Sequence, residues 1–300
     1  MVGSRPKGKN LYFALMAVSA TVLTVAVMRP HFGWAKNHGG APKGDLPAAL
    51  RLLHTSQTGS LLLSRAEKAW SVTGDLRLLS FFELGRVSRT DAVLTRHFNT
   101  ETGQEKRERE ITISIRQDQN LQDMVLDMAH ELTHATAEPA WDPYDPNLTL
   151  GKYIFAALEG PGGEVEAVVS ECNVGSELFG AVSRCKRYNT AENAVNHDEV
   201  KKDFYRVGKF KSAVLAQLGT EAALFPDLSS DRPELYSSTG QSPYPVALVE
   251  EFKQLNRIAC ENVKRRIQAK SERSPASSPS GEGQGSTEIH EILSKRCGGA

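Results

Sequence analysis

The residues from Leu121 to Ala135 constrain this chain most. Leu121-Gln122-Asp123-Met124-Val125-Leu126-Asp127-Met128-Ala129 is apolar at helical spacing and leads straight into His130-Glu131-Leu132-Thr133-His134-Ala135. Leu132 and Ala135 continue the apolar side. Pro139 sets the end of the helix, because the residue before a proline is driven out of the α region. A helix of this kind must lie against a core, and it carries an H-E-x-x-H motif. Residues four apart stand one above the other on a single helix face. The two imidazoles can then share one Zn2+, with nitrogens about 2.0–2.1 Å from the ion. Glu131 follows the first histidine directly and leans over the ion's open position, where it can take a proton from a bound water. The plainer alternative, a surface helix with two satisfied histidines, sits badly with a motif this deep in an amphipathic segment.

A catalytic zinc ion takes three protein ligands and leaves one position open. One class of H-E-x-x-H enzymes places a third histidine six residues after the second. That position is Ala140 here, and the glycine expected ahead of it is Ala137, so this class is excluded. Asp142 and Asp145 lie in Trp-Asp-Pro-Tyr-Asp-Pro, which reads as rigid turns. The better source is the helix opened by Gly160-Pro161-Gly162-Gly163. At about 100° per residue, Val165, Val168, Val169, Cys172, Leu178 and Phe179 gather on one side. Glu164 and Glu171 fall within or beside that arc, whereas Glu166, Ser170, Asn173 and Glu177 fall opposite. A carboxylate aimed at a core is costly unless it is paired or binds a metal. Glu164 is therefore the expected third ligand. Glu171 is the alternate, or a partner that orients a ligand histidine. The bland reading of Glu164 is a carboxylate that merely suits the helix dipole in a first turn.

Around this nucleus the chain divides simply. A basic tip, 1–10, precedes an uncharged apolar run from Leu11 to Met28. As a helix that run reaches roughly 27 Å, enough for a bilayer core. It is expected to be a transmembrane signal anchor, with a cleaved signal peptide as the second reading. The main domain would then be extracytoplasmic and membrane-anchored, or secreted after cleavage. Residues 29–45 read as a Gly-, Lys- and Pro-containing linker, 46–270 as one domain, and 271–300 as a Ser-, Pro- and Gly-rich disordered tail ending in a short helix around Ile289 to Cys297. Within the domain, helices are expected at Leu46–His54 and Ser60–Trp70, broken at Thr58-Gly59. Strands are expected at Leu76–Leu84, Ala92–Asn99 and Ile111–Ile115, with a hairpin tip between the last two. Continuous helical stripes follow over Asn193–Leu218 and Pro245–Lys270. The class is α+β, a small antiparallel or mixed sheet packed on the motif helix and followed by a helical half.

The formal net charge of the 300 residues is +0, which offers no electrostatic case for nucleic acid. The 4 cysteines have no C-x-x-C spacing, which argues against a cysteine-based zinc site. Two disulfides or four buried thiols fit equally.

With these residues in hand the chain resembles zincins of the gluzincin kind, and in particular metallopeptidase domains of bacterial effectors and polymorphic toxins. The likeness rests on Thr58-Gly59-Ser60-Leu61-Leu62-Leu63, Ile111 to Ile115, Ala129 to Ala135 and Glu164-Val165-Glu166-Ala167. The H-E-x-x-H part is specific and the rest is loose. The resemblance implies a zinc-dependent endopeptidase acting on peptide or protein substrates, with His130 and His134 as ligands and Glu131 as base. It also adds Glu166 as an alternate ligand, because a Glu-x-Glu-Ala phrase recurs in related helices. An electrophilic helper is expected from the later helices, with Tyr188, His197 and Tyr205 as candidates. Such effectors are usually soluble, so the apolar run is a departure. The rival readings are a non-catalytic, membrane-anchored zinc-binding module and a structural membrane protein with a chance motif.

Overall fold

The motif helix α4, Leu121–Thr136, is the axis of the structure. Asn120 caps it, its side chain accepting from the Asp123 amide at 2.9 Å. From Met124 to Ala135 nearly every residue is buried, and a helix buried on all sides must be wrapped on all sides. The wrapping comes from α1 and α2 ahead of it in sequence, the sheet on another side, and α6 behind. Its C-cap, Ala137, has turned to extended backbone two residues before Pro139, as expected.

This description comes from a computed structural model that covers residues 44–98, 105–180, 182–189, 194–237, 242–273 and 291–298. The apolar run 11–28, the hairpin tip and most of the linker and tail lie outside the described residues. Among the described residues no helix is long and apolar enough to cross a membrane.

Helix α1, Leu46–His54, starts on Asp45. Helix α2, Gln57–Trp70, starts on Ser56, whose hydroxyl accepts from the Gly59 amide at 2.9 Å. The break between them therefore falls at Thr55-Ser56, not at Thr58-Gly59. Gly59 lies inside the first turn of α2 because the helices cross there, and a Cβ at this residue would come within 2.3 Å of the Leu53 carbonyl. The stretch expected as one strand from Leu76 to Leu84 divides into α3, Asp75–Leu79, and β1, Phe82–Gly85. Gly74 turns the chain at φ +88° and opens the short helix.

Strands β2, Arg89–Phe98, and β3, Glu105–Arg116, form an antiparallel hairpin, and β1 joins β3 in parallel. The order β1-β3-β2 makes a small mixed sheet, and with the helices the class is α+β. Ile111, Ile113 and Ile115 alternate along β3 into the core that α4 occupies. Thr90 sits directly opposite Ile113, so its side chain shares that face.

After α4 come α5, Leu150–Leu158, and α6, Glu164–Phe179. The stripe expected to run unbroken to Leu218 is interrupted. Helix α7 is His197–Phe204 and α8 is Lys211–Leu218. Between them Tyr205 O and Val207 N pair with Ser229, which the chain can do only by leaving the helix. Helix α9, Tyr244–Arg273, matches its expected stripe closely. All four cysteines are paired, Cys172 with Cys185 and Cys260 with Cys297. The second bond fixes a short closing helix, 291–296, against α9. From there Arg296 donates to the carbonyls of Pro143 and Asp145 at 2.6 and 2.9 Å, holding the Trp-Asp-Pro-Tyr-Asp-Pro segment in place.

Candidate metal centre

Three elements meet at the motif. Helix α4 supplies His130, Glu131 and His134, α6 supplies Glu164 and Glu171, and the Gly160–Gly163 turn joins α5 to α6. The turn passes so close to α4 that a Cβ on Gly162 would lie 2.3 Å from that of Ala137, and its φ of +66° suits glycine. This approach has a purpose in the geometry, since the Gly162 carbonyl lies 2.7 Å from His134 Nδ1. A carbonyl only accepts, so His134 carries its proton on Nδ1 and directs Nε2 inward.

There Nε2 of His134 is 3.7 Å from Glu164 Oε1, and Nε2 of His130 is 3.5 Å from Glu164 Oε2. The two rings are 4.8 Å apart at 78°. His130, His134 and Glu164 together form a buried group whose donor atoms could hold one metal ion. The separations suit that task. Ligands about 2.0–2.1 Å from a tetrahedral ion stand about 3.4 Å from one another. The donor set of two imidazole nitrogens and a carboxylate oxygen suits a first-row divalent cation such as zinc.

Glu171 does not join that group. Its Oε2 lies 3.0 Å from His130 Nδ1, the position that orients a ligand ring. Its Oε1 forms an ion pair with Arg184, 2.6 Å from Nε. Arg184 also reaches Asp127 Oδ1 at 3.1 Å, and the other Asp127 oxygen accepts from the Ser88 hydroxyl at 2.5 Å. Glu166 stands away from the histidines. It accepts from the Gly162 amide at 2.8 Å and faces Arg65 at 3.5 Å, which makes it a brace for the turn.

Glu131 is only 2 % exposed. The Thr90 hydroxyl lies 2.8 Å from its Oε2 and 3.0 Å from its own backbone carbonyl. Burial pushes the Glu131 carboxyl up to about 7, against the lowering influence of His130 and Thr90. For His130, burial favours the neutral ring, but the hydrogen bonds and charges of its carboxylate neighbours prevail and raise it to about 10. Asp127, Glu131, Glu164 and Glu171 crowd a buried space around one permanent cation, Arg184, so the cluster attracts positive charge. In the metal-free protein that charge is protons, and a divalent ion would displace them.

Among the tyrosines, Tyr188 donates to Asp203 at 3.0 Å and Tyr205 to Glu159 at 2.6 Å, while His197 lies exposed at the start of α7. None of these three contacts the cluster in its described interactions. The tyrosine that does reach it is Tyr244, whose hydroxyl is 3.4 Å from Glu164 Oε2 and whose ionisation is strongly disfavoured by burial and by the nearby carboxylates. It is the first residue of α9 and precedes Pro245, with no sequence signal beyond an aromatic beside an apolar stripe. Thr90, Arg184 and Asp127 were equally silent, because each acts only across elements far apart in sequence. Asp142 and Asp145 hold their own turns, accepting from the Tyr144 and Asn147 amides at 2.8 Å. Comparison with protein-family models, with curated proteins and with solved structures finds no match for this chain.

Proposed function

We propose that this chain is a zinc-dependent peptidase of zincin-like build, with His130, His134 and Glu164 holding the ion and Glu131 as general base. The observation that carries the reading is the convergence of two inward-facing Nε2 atoms and one carboxylate beside a second, buried carboxylate that none of the ligand contacts requires. When bound, zinc supplies Lewis acidity, polarising a substrate carbonyl and bringing a water's pKa towards about 7.

The chain's own groups do the rest. Glu164 and the rings of His130 and His134 fix the ion's place. The Gly162 carbonyl and Glu171 hold the two rings in the tautomer that presents Nε2. Glu131 takes a proton from the attacking water and delivers it to the leaving amine, with the Thr90 hydroxyl holding its carboxyl in place. Tyr244, protonated, can donate to a developing oxyanion from beside Glu164.

A second reading is a zinc-holding module without turnover. The depth of the group favours it, since His130 at 6 % and His134 at 2 % exposure resemble a closed structural site. One experiment separates the two. Glu131→Gln in the full chain should keep one zinc per chain by elemental analysis yet lose about 10²–10⁴-fold in peptide hydrolysis. Unchanged hydrolysis removes Glu131 from the mechanism. A parent that binds zinc but cleaves no peptide in a broad library leaves the closed-site reading standing.

A further inference from the structure

Helix α6 does more than supply Glu164. Glu171 orients His130 only if its second oxygen is held, and Arg184 holds it. Arg184 is a residue of the loop beyond α6, not of the helix. Its side chain is 7 % exposed and reaches across to both Glu171 and Asp127. Val182 draws the start of that loop inward, buried against Gly175 of α6. The bond from Cys185, the neighbour of Arg184, to Cys172, the neighbour of Glu171, fixes the part that carries Arg184. Two adjacent pairs, Glu171-Cys172 and Arg184-Cys185, are thus joined twice, once by an ion pair and once covalently.

We propose that Arg184 is a positioning residue for the metal-ligating ring of His130, acting through Glu171, and that the Cys172–Cys185 cross-link is the device that seats it. The inference rests on the metal-site reading above and adds a condition to it: the site is complete only in the oxidised protein. Forming the cross-link converts two thiols to one disulfide, and their two electrons and two protons pass to an external disulfide, which leaves as a dithiol. Before that, Arg184 is tied to α6 only through the intervening chain. Glu171 then has no cation fixed against its second oxygen, and its carboxylate can turn away from His130. Without that contact at Nδ1 the ring loses the partner that directs Nε2 at the ion.

Arg184 also has a second anchor. Asp127 lies three residues before His130 on α4 and is tied to Ser88, which accepts from the Arg116 amide at 2.9 Å. The guanidinium therefore joins α4, α6 and the loop between β1 and β2 at one point. Outer partners of this kind typically alter metal affinity by about 10–100-fold when lost.

The test measures zinc affinity of the full chain by chelator competition, independent of catalysis. Arg184→Met and Cys172→Ser/Cys185→Ser should each weaken zinc binding by about 10–100-fold. Cys260→Ser/Cys297→Ser removes a cross-link far from His130 and should leave the affinity near the parent value. Near-UV circular dichroism confirms that each variant is folded. If Arg184→Met fails to fold, Arg184→Lys takes its place and is expected to give a smaller loss of the same sign. Affinity unchanged in the folded Arg184 variant, or equal losses from the two cross-link variants, overturns the proposal. A parent chain that takes up no zinc removes both this inference and the peptidase reading. A parent that binds zinc, with folded variants that bind it equally well, removes this inference alone.

Discussion

At the residue scale the most specific feature is the contact between Thr90 and Glu131. A carboxylate that exchanges protons must also keep one rotamer, and a single buried hydroxyl on a neighbouring strand provides this. Thr90→Val keeps the shape and removes the donor, so under the proposed mechanism hydrolysis should fall by about 10- to 100-fold through kcat, with zinc content unchanged. Thr90→Ser should recover most of the loss. Equal activity in the valine and serine variants would show that the hydroxyl has no role. The pairing of His130 and His134 on one helix face was readable from their spacing alone. The approach of Glu164 to the histidines was readable because an acidic residue inside an apolar arc calls for a partner, and the same reasoning left Glu171 open between an alternate ligand and a histidine's partner, the latter being the contact observed. Thr90 could not be read this way, since its relation to Glu131 exists only once β2 has paired with β3.

At the element scale, the turn from α5 to α6 sets where α6 lies against the motif helix. Gly162→Ala puts a methyl group where Ala137 already sits and asks alanine to hold a left-handed φ. The turn should move, the Gly162–His134 contact should lengthen, and zinc affinity should drop, which chelator competition would detect. The other end of α6 anchors α2. The Glu177 carboxylate accepts from the Ser56 hydroxyl at 2.5 Å and from the Thr58 amide at 3.0 Å. Burial alone would raise its pKa, but these hydrogen bonds outweigh it and hold Glu177 below the usual carboxylate range. A depressed folded value means the contribution is present above the unfolded pKa and fades as pH falls through the folded one. The thermal stability gap between the parent and Glu177→Gln should therefore be open at neutral pH and close in acid. A gap independent of pH would contradict this. Helix boundaries were where sequence reasoning slipped. It placed a break at Gly59 because glycine disrupts helices, whereas the crossing with Leu53 required a residue without a side chain. It joined α7 to α8 because the apolar stripe continued, although pairing with Ser229 interrupts the helix.

Across the whole molecule, the first two helices, the hairpin, the motif helix, α6 and α9 were legible from periodicity, whereas α3, α5 and the strand order were not. Alternation along β2 and β3 revealed the hairpin. That β1 joins β3 in parallel depends on where α3 turns the chain, which no local pattern encodes. The cysteine pairing was similarly open in the sequence and is settled by proximity across α6 and α9. The sheet's uneven pairing has a dynamic consequence. From Ile113 onwards β3 has β1 alongside it, whereas from Glu105 to Glu110 its one partner among the described residues is β2, making an outer two-stranded ribbon. Such a ribbon is marginal by itself. Deuterium uptake should accordingly be rapid over Lys106–Glu110 and slow over Ile113–Ile115, with the step between them lying beyond Thr90. The arm can then flex, be nicked or be grasped by another molecule while the strand segment beside Glu131 keeps its place.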